Sequence, residues 1–140
     1  MTPHLASLRM DRTCASQMLE HAGRAFPDEC VGFLAGIGGK VSLVIPLPNS
    51  AGKKSFFVEP YEQYLAEKRI KENQVDLLAI YHSHPHGCAC LSETDLHFAR
   101  RWNCLQVVIA IAAACDLSTQ VKAFKLLPVH GQTEIPIVVD

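Results

Sequence analysis

The sequence predicts an α/β or α+β sandwich, with a central mixed β-sheet flanked by about three helices, on two observations. Segments with helical spacing alternate with short runs rich in β-branched residues, the pattern of strands and helices layered around one core. The length of 140 residues and a hydrophobic content of 49% suit one domain, residues 1–140, that buries roughly two-thirds of its unfolded surface. No internal repeat, low-complexity tract or Gly-rich phosphate loop is visible.

The elements follow in order. Cys14, Met18, Ala22 and Ala25, reinforced by Leu19 and Phe26, predict a first helix over 13–26 that Pro27 stops. Cys30 to Gly36 is apolar, Gly38-Gly39 signals a two-residue hairpin, and Val41 to Leu47 is its second strand. Pro48, Asn49 and Gly52 mark a loop, and Ser55 to Val58 reads as a short strand. Pro60 opens a second helix, with Tyr61, Tyr64, Leu65 and Lys68 along one side, running to about Asn73. Val75 to Tyr81 is nearly all apolar and reads as a central buried strand whose exit delivers His82 and His84. Pro85 and Gly87 lie in a loop, Ser92 to Trp102 predicts a third helix, and Leu105 to Ala112, Gln120 to Leu126 and Ile135 to Val139 predict three further strands.

Composition removes several function classes. A formal charge of −1, from 13 basic and 14 acidic residues, argues against a nucleic-acid or anionic-membrane partner. Met1-Thr2-Pro3-His4-Leu5-Ala6 lacks the cationic start and apolar core of a secretion signal, and the apolar run Val107 to Cys115 is too short to span a bilayer. The expectation is a cytoplasmic protein whose six cysteines are reduced thiols, with Cys14, Cys104 and Cys115 as core residues. The residues leave the oligomeric state open, a homodimer included.

The most informative stretch is His82-Ser83-His84-Pro85, with seven residues from Pro85 to Leu91 separating His84 from Ser92, and then Asp95. Random placement of 7 His, 8 Ser and 6 Asp would give this spacing about once per thousand such chains. His-x-His puts both rings on one face of an extended segment, and a loop can fold the aspartate back to make three ligands with a fourth position open, the arrangement of a catalytic zinc. A single histidine at a strand end is ordinarily just hydrogen-bonded; two of them, two residues apart with an acid downstream, favour a metal. Ser92 and Asp95 have an ordinary alternative, because S-x-x-D before a helical stretch is a capping box. That role and metal ligation are compatible, and position alone does not separate them.

Hydrolysis at such a site needs a base that is not itself a ligand. Glu29, between Pro27 and the apolar segment Cys30-Val31-Gly32-Phe33-Leu34, is the candidate; the plain alternative is an exposed loop glutamate. His82, His84, His86, Cys88 and Cys90 also form a string of ligand-type residues at every second position, which supports a rival, a non-enzymatic Cys/His metal module using His82, His84, Cys88 and Cys90. Thiol catalysis or redox cycling at Cys88 or Cys90 is a further rival. Pro85 and Gly87 argue against the unbroken strand the string requires.

These residues resemble the JAMM, or MPN-plus, metalloproteases. Glu29-Cys30-Val31-Gly32-Phe33-Leu34-Ala35-Gly36 fits the family segment E-C-x-G-x-L-x-G, and His82 to Asp95 fits H-S-H, seven residues beginning with proline, S-x-x-D. The resemblance implies a JAMM/MPN fold of the cytidine-deaminase-like type and one Zn2+ per chain, held by His82, His84 and Asp95. It implies that Glu29 activates the zinc-bound water and that Ser92 helps hold the oxyanion. Relatives often carry proline immediately before the serine, where this chain has Leu91, a change expected to leave the loop backbone freer. The implied reaction cleaves the bond after the C-terminal Gly-Gly of a ubiquitin-like sulfur-carrier protein, as small stand-alone prokaryotic members do. The alternative is deubiquitinase-like isopeptidase activity on protein conjugates.

Overall fold

The computed structural model describes residues 5–51, 56–111, 119–128 and 131–140. Met1 to His4, Gly52, Ser55, Ala112 and Cys115 lie outside the described residues. The elements run β1 (Leu8–Met10), α1 (Arg12–Ala25), β2 (Val31–Ile37), β3 (Lys40–Leu47), α2 (Pro60–Glu72), β4 (Asp76–His84), α3 (Glu93–Ala99), β5 (Leu105–Ile111), β6 (Thr119–Leu126), β7 (Gln132–Ile135) and β8 (Ile137–Val139).

The eight strands form one mixed sheet in the order β7-β6-β5-β4-β2-β3-β1-β8. β4 pairs antiparallel with β2 and parallel with β5, so it lies in the middle with neighbours on both sides. β7 and β8 are separated only by Pro136 yet occupy opposite edges, so the sheet must curl until its edges approach. Pro136 cannot continue a ladder through its nitrogen, but its carbonyl accepts from the Leu8 amide, starting the pairing of β8 with β1. The single strand expected over 135–139 is therefore two strands on two edges.

Side-chain alternation splits the core by face. Leu34, Tyr81, Leu105, Val107 and Ile109 pack with Cys14, Met18 and Ala22 of α1. Val31, Phe33, Ile80 and Ile45 pack on the other face with Ala66 and Ile70 of α2. α1 starts where the Asp11 carboxylate caps the Cys14 amide at 2.8 Å. On α2 the buried side is Ala66 and Ile70, whereas Tyr61 and Tyr64 are 67% and 57% exposed, so the side that looks apolar in sequence faces outward.

The expected strand at 55–58 does not form over its described residues. The Phe57 amide donates to Asn49 Oδ1 and its carbonyl accepts from Ser50, so its backbone groups are satisfied inside the loop and not on a ladder. α3 is shorter than the expected 92–102 because Ser92 is its cap and it ends at Ala99. No described helix is long and apolar enough to cross a membrane.

Candidate metal centre and catalytic cleft

The end of β4 places Tyr81 and Ser83 on the α1 face and His82 and His84 on the α2 face. His82 is fully buried, paired in register with Val31 of β2 and Val108 of β5, with the Phe56 ring centred 4.9 Å from its own. The two histidine Nε2 atoms are 3.0 Å apart. Asp95 Oδ2 lies 3.2 Å from His82 Nε2 and 3.0 Å from His84 Nε2.

Asp95 is held in that direction by the capping box. The Ser92 amide donates to Asp95 Oδ2 at 2.9 Å, and the Asp95 amide donates to Ser92 Oγ at 3.0 Å. The cap and the convergence on the histidines thus use one carboxylate, and the two readings of S-x-x-D coexist. On the far side of its ring, His84 Nδ1 lies 2.9 Å from the Cys88 carbonyl. A carbonyl only accepts, so Nδ1 carries the proton and the neutral ring presents a bare Nε2 to Asp95.

The donor set fits a zinc ion. A tetrahedral zinc about 2.0–2.1 Å from each ligand separates ligand atoms by about 3.3 Å, close to the triangle of Nε2, Nε2 and Oδ2 seen here. His82 Nδ1 is buried with no hydrogen-bond partner. Without a cation the three acceptors lean on protonation. The Asp95 hydrogen bond, working against burial and aided by the Cys88 carbonyl, raises the His84 pKa. For Asp95, burial opposes ionisation, yet hydrogen bonds from His82 and His84, the His82 charge and the Ser92 amide outweigh it and hold the carboxyl well below the usual range.

Glu29 reaches this place through strand register. Val31 pairs with His82, and the antiparallel pairing continues past the end of β2 as the Ser83 amide donates to the Cys30 carbonyl at 3.1 Å. Ser83 Oγ accepts from the Cys30 amide at 2.8 Å. Extending the register by two residues sets Glu29 opposite His84, on the same face, despite 53 positions between Glu29 and His82. Asn49 Nδ2 donates to the Glu29 carbonyl at 2.9 Å and secures it from the loop side. Burial pushes the Glu29 carboxyl up to about 7, with His84 opposing and Asp95 adding to the shift.

Glu29, His84, Ser92 and Asp95 line one cavity of about 650 Å³, together with Phe56, Phe98 and the loop residues Pro85, His86, Gly87, Cys88 and Cys90. All five site residues expected from sequence are therefore at one place, with His82 buried behind the cleft wall. Sequence reasoning missed Ser83, Asn49, Phe56 and the Cys88 carbonyl. Only Ser83 had a signal, its position between the histidines, which alternation turns to the opposite face.

The loop corrects two expectations. Cys88 and Cys90 are joined by a disulfide, so the cysteines are not all reduced; Cys14, Cys30 and Cys104 are free and buried. The Cys/His tetrahedron is excluded in this state because both sulfurs are bonded to each other, as is thiol catalysis by either. Among the described residues the cluster able to hold a metal is His82, His84 and Asp95. Just before Ser92, Ala89 and Leu91 are buried against Val108, Ala110 and Phe124.

Residues 11–126 match the family described as prokaryotic homologs of the JAB domain. A probable TtuB-protein conjugate cleaving protease of Thermus thermophilus is 36% identical over 138 residues, covering 97% of this chain and 85% of that protein. A solution structure of a Desulfitobacterium hafniense protein superposes with a TM-score of 0.82 at 29% identity, covering 95% of this chain and 92% of that one. A JAB1/MPN domain protein from Archaeoglobus fulgidus shares the fold with a TM-score of 0.61 at 21% identity, covering 94% and 99%.

Proposed function

The chain belongs to the family of prokaryotic homologs of the JAB domain, and from that premise we propose that it is a zinc-dependent peptidase or isopeptidase cleaving after the C-terminal Gly-Gly of a ubiquitin-like sulfur-carrier protein. Family membership and the protease-named relative support a hydrolase. One observation carries the finer reading: a half-buried carboxyl, Glu29, faces a triangle of two imidazole nitrogens and a carboxylate oxygen across a single cavity.

His82, His84 and Asp95 would hold the ion. Zinc bound there would supply Lewis acidity, bringing the pKa of its water to about 7 and polarising the scissile carbonyl. Glu29, whose carboxyl already titrates near neutrality, is matched to take a proton from the attacking water and give it to the departing amine. Ser92 Oγ accepts from the Asp95 amide, which leaves its own hydrogen to donate into the cleft toward the developing oxyanion. A cavity lined by Glu29, His84 and Ser92 suits an extended tail of small residues, since glycine lets the backbone approach closely.

The name of the Thermus relative favours a second form of the same reaction, an isopeptide bond in a protein conjugate. Intact-mass spectrometry separates the two. A ubiquitin-fold carrier bearing residues beyond its Gly-Gly, and the same carrier joined to a lysine side chain, are each incubated with wild-type and Glu29→Ala protein. Loss of the extension or the conjugate with wild type alone is the expected result; survival of both substrates, or equal cleavage by Glu29→Ala, removes the proposal.

A further inference from the structure

We propose that Cys88 and Cys90 form a redox-active pair, exchanging between disulfide and dithiol with an external dithiol reductant, and that the disulfide braces the loop that orients His84. Three features point to it. First, residues 88–91 alternate as in a strand. Ala89 and Leu91 are buried in a small cluster with Val108, Ala110 and Phe124, which turns Cys88 and Cys90 to the opposite, exposed side with Cα atoms 5.3 Å apart. That separation lies within the range a disulfide needs. Second, both cysteines line the cleft, where a reductant can reach the bond, whereas Cys14, Cys30 and Cys104 are buried. Third, the carbonyl that receives His84 Nδ1 is that of Cys88 itself. The disulfide therefore sits one residue's backbone away from the contact that sets which face of His84 is presented to Asp95.

The exchange balances without a further reactant. A thiolate of the reductant attacks Cys90 Sγ, the Cys88–Cys90 bond breaks, and Cys88 leaves as a thiolate that takes a proton from water. The reductant's second thiolate then attacks the mixed disulfide and releases Cys90. Two electrons pass, and the reductant departs as its own disulfide; the reverse reaction uses a disulfide oxidant. In the dithiol form Gly87, with a φ of +122°, is left as a permissive joint beside an untied segment, and the Cys88 carbonyl loses its tether.

The test uses the full chain equilibrated in reduced and oxidised dithiothreitol at a series of ratios. Alkylation under denaturing quench, followed by peptide mass mapping, should show Cys88 and Cys90 gaining two alkyl groups together in one transition. Amide hydrogen exchange over residues 85–91 should quicken at least tenfold on reduction while β5 stays unchanged, and zinc should pass to a competing chelator several-fold faster. Cys88→Ser/Cys90→Ser should match the reduced wild type at every ratio; if that variant does not fold, reduction of the wild type makes the same comparison. Independent titration of the two cysteines overturns the proposal, and so does a joint transition that leaves loop exchange unchanged. The metal readout rests on the function proposed above: protein that takes up no zinc in either form counts against that reading, while the exchange rates still decide this one.

Discussion

The last four residues of β4 fall two to a face, and the two faces treat their polar atoms in opposite ways. On the α1 side, the Tyr81 hydroxyl lies 2.6 Å from His21 Nδ1 and Ser83 Oγ receives the Cys30 amide, so each buried polar atom has a partner of the opposite kind. On the α2 side, two imidazole nitrogens and a carboxylate oxygen converge within 3.0–3.2 Å of one another, and His82 Nδ1 is unpartnered. Buried polar groups are ordinarily paired, and a group left unpaired costs about 1–3 kcal/mol. One strand thus carries a paired network beside a triangle that a shared proton or a bound cation would bridge, with His82 Nδ1 left unpartnered by either. The satisfied face holds the cleft in register; the unsatisfied face is where chemistry is available.

The strongest way to break that contrast is to change the charge on the unsatisfied face while keeping its geometry. Asp95→Asn retains an oxygen for the Ser92 amide but gives up the carboxylate. Wild type should bind about one zinc per chain, and Asp95→Asn should bind it more than about 100-fold more weakly, beyond the 10–100-fold that loss of an outer-shell partner costs. Competition with a chromogenic chelator measures this, and unchanged affinity would show that Asp95 is only a helix cap. Next in size is Glu29→Gln, which leaves the triangle intact. It should keep zinc and lose about 10²–10⁴ in kcat, the usual worth of a positioned acid–base group; a variant that loses metal and activity together would make Glu29 a ligand.

The satisfied face should respond in stability instead. Ser83→Ala strands the buried Cys30 amide, and the expected loss is about 1–3 kcal/mol, read from denaturant midpoints. Zinc affinity should stay within a few-fold of wild type, since Ser83 points away from the ligands. A large drop in zinc affinity with no loss of stability would reverse the assignment of the two faces. Gly32→Ala tests the same face by overpacking: a Cβ there would run into the Tyr81 ring, and overpacking of this kind costs about 1–3 kcal/mol.

How far these faces were legible in sequence follows from how local each signal is. His-x-His at the end of an apolar run marks both the strand and the face, and S-x-x-D marks the cap, because each depends on neighbours within a few residues. Glu29 was found as a polar residue at the edge of an apolar segment, and only the β2–β4 register explains why it meets His84. Ser83, Asn49 and Phe56 act through partners far along the chain or through a ring packed at a tilt against His82, and no local pattern announces that. The break at Pro136 has the same origin. A proline can be read as the end of one ladder, but the jump to the opposite edge depends on the sheet curling. The strand expected at 55–58 does not form over its described residues because Asn49 and Ser50 satisfy the backbone of Phe57 from outside the segment.

The smallest effect sharpens the contrast within the cleft itself, since its two carboxyls are shifted in opposite directions. In the metal-free protein Asp95 is held well below its usual value of 3.8, so its contribution to stability is present above that value and is lost as pH falls beneath it. Glu29 is raised from 4.5 to about 7, so the sign reverses. Below pH 4.5 its carboxyl is neutral in folded and unfolded chains alike. As pH rises toward 7 the unfolded chain releases the proton first, and folding becomes less favourable. His84, raised above 6.5, pulls the same way but only from that pH upward. Between pH 4.5 and 6.5 the decline therefore belongs to Glu29 among these three groups, and thermal unfolding of metal-free Glu29→Gln should lack it while retaining the acid limb due to Asp95. Parallel curves for variant and wild type across that window would mean that Glu29 is not desolvated, and the match between its pKa and proton transfer would be lost.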